Sequence, residues 1–224
     1  MNNFKVFVNI ILVKLKIRHV LPVEAIRKIK VKENNEKLTL IKDNELFLIK
    51  TELPYIRQTV ADKLFEVAHE LKKQNLKLVL FELLRDIEKQ KHMWQEEYDK
   101  IKRENSNLPN DEIEFLVSKR VAKVSSNKGG GHQTGGAVDI GLCTINNELL
   151  DMGTEYLEFN DRTYTNSKDI SIDQKNNRKL LLKIMKNKGF ANFPTEWWHY
   201  SYGDTMWAAY SSKKEAIYSS DVKF

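Results

Sequence analysis

A single cysteine, Cys143, stands among 224 residues. That scarcity excludes an internal disulfide framework and any cysteine-rich zinc site, so a metal bound here needs nitrogen and oxygen donors. Prolines are also few, four in all and scattered, and no internal repeat or low-complexity block announces a linker. Long apolar runs are missing too. The stretch "FKVFVNIILVKLKIRHVLP" is interrupted by Lys14, lacks a small-residue cleavage site and is too short to span a bilayer. Its β-branched core, residues 6–13, reads as a first strand or helix, with the strand fitting slightly better, rather than an export signal, and no stable membrane insertion is expected.

The 37 Lys and Arg against 31 Asp and Glu leave a formal charge of +6. Much of the excess lies before residue 40, and no RNA-binding aromatic signature or zinc finger accompanies it. The basic balance therefore reads as a solvated surface, with no nucleic-acid partner expected. Compartment and oligomeric state stay open. With 41% hydrophobic residues the chain is long enough for one well-cored domain, here placed at residues 56–224, with residues 1–55 as an N-terminal extension packing on it.

Pattern along the chain predicts an α+β fold: a small antiparallel sheet flanked by helices, without the βαβ rhythm of a parallel sheet. Residues 38–53 read as two short strands around Asp43 and Asn44. "IRQTVADKLFEVAHELKK", residues 56–73, has apolar residues at helical spacing, and "LKLVLFE", residues 76–82, suits a buried strand. A charged helix to about Arg103 follows, then a short helix after "NSNLPND". "AVDIGLCTI" alternates as a strand, turning at Asn146 and Asn147 into "ELLDM". A helix runs from about Asp173 to Asn187 with Gly189 as its stop. The final aromatic stretch reads as two strand-like runs around Gly203 and Asp204.

Glycine is scarce overall, nine in the chain, yet five surround one histidine in "GGGHQTGGAVDIGL", residues 129–142. Gly129, Gly130 and Gly131 tolerate positive φ and allow a loop to turn His132 inward, while Gly135 and Gly136 permit close approach. A catalytic zinc commonly keeps three protein ligands. His132 and Asp139 supply two, and His199 in "TEWWHY" is the natural third, with Glu196 three residues before it as a general base. On an ideal strand Glu196 and His199 face opposite ways, so a twist or bulge is required. The ordinary alternative is a flexible glycine loop, a buried aromatic hairpin, a rim carboxylate at Glu196 and a surface-paired Arg85.

"HQTGGAVD", followed some sixty residues later by "EWWH", resembles the H-x-x-G-x-A-x-D … E-x-W-H pattern of the zinc D-alanyl-D-alanine dipeptidases. These include the vancomycin-resistance dipeptidases and belong to peptidase family M15, with the hedgehog-like D,D-peptidase fold. The likeness runs from about Ala61 to Tyr202, roughly two thirds of the chain. "LKLVLFELLRDIEKQ" is similar to the region carrying the family's Y-R-P arginine, and "ELLDMGTEYLEF" to its M-G-T region. The resemblance implies one Zn2+ per chain held by His132, Asp139 and His199, Glu196 as catalytic base and acid, and Arg85 steadying the oxyanion. It implies a small D-amino-acid peptide from cell-wall material as substrate.

This chain departs from the family pattern at four places. Gly130 stands where the family often has Ser, Leu84 and Asp86 flank Arg85 in place of Tyr and Pro, and Leu157 replaces an acidic residue, with Glu158 adjacent. Asp86 is placed either to turn Arg85 away from substrate or to hold it. The hydrolytic residues are thus intact while the specificity-giving contacts differ. Three alternatives remain: a D,D- or L,D-carboxypeptidase acting on muropeptides, a diverged non-hydrolytic zinc or wall-peptide binding protein, and a basic nucleic-acid binder with salt-dependent affinity.

Overall fold

A computed structural model describes residues 20–223 apart from 22–24, 27, 43, 119, 122 and 125–129. The expected strand at residues 6–13 lies outside the described residues, as do Gly129 and Asp43. Elements run β1 (Lys30–Val31), β2 (Leu38–Leu40), β3 (Phe47–Ile49), β4 (Tyr55–Arg57), α1 (Gln58–Lys72), β5 (Leu76–Glu82), α2 (Ile87–Glu104) and α3 (Asn110–Val117). After a 3-10 turn at Gly131–Thr134 come β6 (Ala137–Thr144), α4 (Ile172–Asn187), β7 (Ala191–Asn192), β8 (His199–Ser201), α5 (Thr205–Tyr210) and β9 (Glu215–Ala216).

Five strands form the main sheet in the order β3-β5-β6-β8-β7. Its pairs are antiparallel except β3 with β5, which run parallel. The architecture is α+β, as the pattern predicts. Alternation along β5 and β6 decides which face does what. Leu78, Leu80, Val138, Ile140 and Leu142 enter the core, where they join Val60, Leu64, Val67 and Leu71 of α1 and Leu181, Ile184 and Met185 of α4. Asp139, Gly141 and Cys143 therefore point to the other face, where the site is built. Between Leu80 and Glu82 the β5–β6 register shifts, so that Glu82, not Phe81, stands opposite Asp139. Such a bulge re-aims side chains beside a functional site.

Two strand expectations meet different partners. Residues 38–40 and 47–49 are strands, yet they do not pair with each other: β2 joins β4 in a separate two-stranded sheet, and β3 joins the main sheet. The Asn146–Asn147 turn closes only an isolated bridge between Cys143 and Leu149. The run after Gly203 is a helix rather than a strand. Asp204 caps α5 by accepting from the Trp207 N–H at 2.7 Å, and that cap outweighs the β-propensity of the aromatics.

Two buried arginines tie irregular segments to this frame. Arg57 donates from Nε to the Thr134 carbonyl at 2.8 Å and pairs with Glu33, while its own N–H donates to the Gly135 carbonyl. The chain leaving the His132 turn is thereby held. Arg178 donates to the carbonyls of Met152, Arg162 and Tyr164 at 2.6–2.8 Å and so fixes the loop between β6 and α4. Among the described residues no helix is long and apolar enough to cross a membrane.

A candidate metal centre

Asp139 of β6 and His199 of β8 are direct cross-strand partners. His199 Nδ1 lies 2.8 Å from Asp139 Oδ1, and His132, carried in by the 3-10 turn, places Nε2 3.3 Å from the same oxygen. The imidazoles meet edge to face, centroids 5.0 Å apart at 77°. One donor atom from each of the three residues lies within 4.8 Å of the others. Each histidine is oriented by a second contact, as metal ligands commonly are. His132 Nδ1 sits 2.8 Å from the Leu83 carbonyl, so it carries the proton and leaves the Nε2 lone pair facing the cluster. Nε2 is buried without a hydrogen-bond partner among the described residues. An orphaned acceptor of this kind fits a cation, and the two-nitrogen, one-carboxylate donor set suits zinc.

The glycines serve this turn mainly by being small. Gly130 has φ −65, and Gly131 is not among the positive-φ residues, so the positive-φ expectation for the glycines before His132 fails where it can be seen. A side chain at Gly131 would instead collide with the Asp204 carboxylate and with Ala137. Gly135, at φ +66, supplies the left-handed residue that ends the turn.

Glu196 does not lie in a strand. It belongs to the turn before β8, its N–H donating to the Phe193 carbonyl and its carbonyl accepting from the His199 N–H, so no strand twist is needed to bring it near His199. Burial pushes its carboxyl up to about 7, with the nearby His199 opposing and Asp139 adding to the shift. Burial lowers the basicity of His132. For Asp139, burial works upward but the adjoining His132 and His199 prevail and hold it well below the usual carboxylate range. Burial opposes protonation of His199 too, yet its bond to Asp139 and that carboxylate's charge raise it.

Arg85 leaves β5 beside the cluster, its Nη2 3.7 Å from Asp139 Oδ2. Nη1 donates to Gln90 Oε1 at 2.9 Å and Nε to Glu82 at 3.4 Å. Asp86 does not turn it away, because that side chain caps α2 by accepting from the Lys89 N–H at 2.7 Å. Sequence reasoning missed Gln90 and Glu82. Gln90 accepts from both Arg85 and Gln133, joining the arginine to the turn that carries His132. No spacing signals such a bridge; a glutamine five residues past a singled-out arginine was the only available cue. Leu157, at φ +63, and Glu158, which accepts from the Glu155 N–H and from Asn160, are not part of the cluster.

Fold and cluster together bring two histidines and an aspartate, a group that could hold one metal ion, to the face of a mixed sheet opposite its apolar core. The chain belongs to the peptidase M15 family: the family profile, described as D-ala-D-ala dipeptidase, matches residues 44–217. It is 35% identical over 97 residues to a D-alanyl-D-alanine dipeptidase of Enterococcus faecium, covering 42% of this chain and 46% of that one. To a Synechocystis D-alanyl-D-alanine dipeptidase it is 37% identical over 89 residues, covering 34% and 36%. The chain thus aligns with less than half the length of these relatives. Among solved structures, the vancomycin-resistance D,D-pentapeptidase VanY in complex with Zn(II) is 16% identical with a TM-score of 0.47, over 86% of this chain and 95% of that chain.

Proposed function

We propose that the protein is a zinc-dependent peptidase that hydrolyses D-alanyl-D-alanine or a related D-amino-acid dipeptide in cell-wall peptide metabolism. The convergence of His132, Asp139 and His199 beside a carboxyl held near 7 supports this reading most strongly. His132 Nε2, Asp139 Oδ1 and His199 Nδ1 would hold the metal. Bound zinc supplies a Lewis acid that polarises the scissile carbonyl and acidifies water. Glu196 takes a proton from the attacking water and returns it to the leaving amine, a task suited to a carboxyl whose proton affinity sits near neutrality. Arg85, braced by Gln90 and Glu82, meets the negative charge that develops on the carbonyl oxygen.

A second reading, a D,D- or L,D-carboxypeptidase on muropeptides, is favoured by one feature. Leu157, standing where the family pattern has an acidic residue, offers no carboxylate to a free amino terminus. A panel of D- and L-dipeptides and muropeptides, with and without chelator, separates the two. The dipeptidase reading expects chelator-sensitive release of D-alanine from D-alanyl-D-alanine, with Arg85→Ala lowering kcat/KM about 100- to 1000-fold. Stoichiometric zinc with no hydrolysis of any member would leave a non-hydrolytic binding protein.

Zinc binding is expected to tighten as pH rises. The proton on His199 competes with the metal, and its affinity is raised above the ordinary histidine value, so zinc is lost as pH falls through that raised value. Chelator competition at pH 6, 7 and 8 checks the sign; affinity that is flat or falls with pH contradicts it.

A further inference from the structure

We infer that Tyr156 is a positioning residue for the metal: its phenol holds the Asp139 carboxylate so that one oxygen, Oδ1, is presented between the two imidazoles. The inference rests on the zinc reading above. Asp139 divides its oxygens by side. Oδ1 faces His199 Nδ1 at 2.8 Å and His132 Nε2 at 3.3 Å, whereas Oδ2 accepts from the Tyr156 hydroxyl at 3.0 Å. Arg85 reaches the same oxygen only at 3.7 Å, so the phenol is its short hydrogen bond. A carboxylate without that bond is free to rock about its terminal torsion, which is broad, and to offer either oxygen or both.

The tyrosine is itself well held. Its ring stacks on Phe81, centroids 4.7 Å apart at 8°, and meets the edge of Trp198 at 5.6 Å. Two residues earlier, Thr154 accepts from the Trp197 indole N–H at 2.8 Å, and Arg178 clamps the same loop at Met152. Nothing in "MGTEYLEF" signals this role, since the hydroxyl reaches a partner 17 residues back in the chain.

Tyr156→Phe removes one oxygen and keeps the ring and its stack. We expect the zinc dissociation constant, measured by competition with a chromophoric chelator, to rise about 10- to 100-fold, and the visible spectrum of the cobalt-substituted protein to change. The unfolding midpoint of the metal-free protein should stay close to that of the parent. Tyr156→Leu, which loses ring and hydroxyl together, should bind zinc about as weakly as the Phe variant. A Phe variant with parental zinc affinity and cobalt spectrum overturns the inference, as does zinc loss confined to the Leu variant, which would assign the effect to ring packing. If the parent itself takes up no zinc, the zinc reading falls and carries this inference with it, so the two failures are distinguishable.

Discussion

Glu196→Gln is expected to lower kcat on the best dipeptide about 100- to 10,000-fold while zinc still binds at one per chain. Glutamine preserves the size and planarity of the side chain but cannot accept a proton, so the substitution isolates proton transfer from packing. The turn that carries residue 196 is held by backbone bonds to Phe193 and His199, which the change does not touch. Metal content by elemental analysis and steady-state kinetics on one preparation decide the matter. Turnover within a few-fold of the parent, at full zinc occupancy, would remove Glu196 from the chemistry and return it to an ordinary rim carboxylate.

The second large effect belongs to the proposed metal ligands. His132→Ala or His199→Ala should abolish stoichiometric zinc and reduce hydrolysis to background. A thermodynamic signature goes with it. A ligand bound only by the native state stabilises it by about 2.7 kcal/mol at a hundredfold excess over its dissociation constant, so saturating zinc should raise the parent's unfolding midpoint and leave both variants unmoved. His199→Ala carries an additional cost of about 1–3 kcal/mol even without metal, because it strips a partner from the buried Asp139 carboxylate. Denaturant titrations with zinc and with chelator separate the two contributions. A variant that still gains stability from zinc would show that the ion sits elsewhere.

Local pattern revealed those parts of the molecule whose partners are near in sequence or whose period is long. The apolar stripe of α1 and the run "LKLVLFE" are legible because each extends over enough residues for its period to be counted, and β5 spans residues 76–82 as predicted. The cluster was legible for another reason: a histidine, an aspartate and a distant histidine are few enough to be combined by chemistry, and a family pattern fixes their order. Strand partners were not legible. β2 and β3 are three residues each, too short for pattern to say which neighbour they join. The helix at Thr205–Tyr210 was hidden because six residues rich in aromatics favour a strand, while the deciding contact is a single capping bond from Asp204. Gln90, Glu82 and Tyr156 were invisible for the same cause, since each acts through a neighbour that only the folded chain supplies.

Asp139 and His199 occupy one rung of the β6–β8 ladder. Because side chains alternate with a period of two, a slip of one residue along that rung would turn Asp139 into the apolar core and bring Val138 or Ile140 out in its stead. Only the correct alignment brings Asp139 and His199 together with His132. On the function proposed above, zinc uptake would then reward only a chain whose strands are already correctly paired.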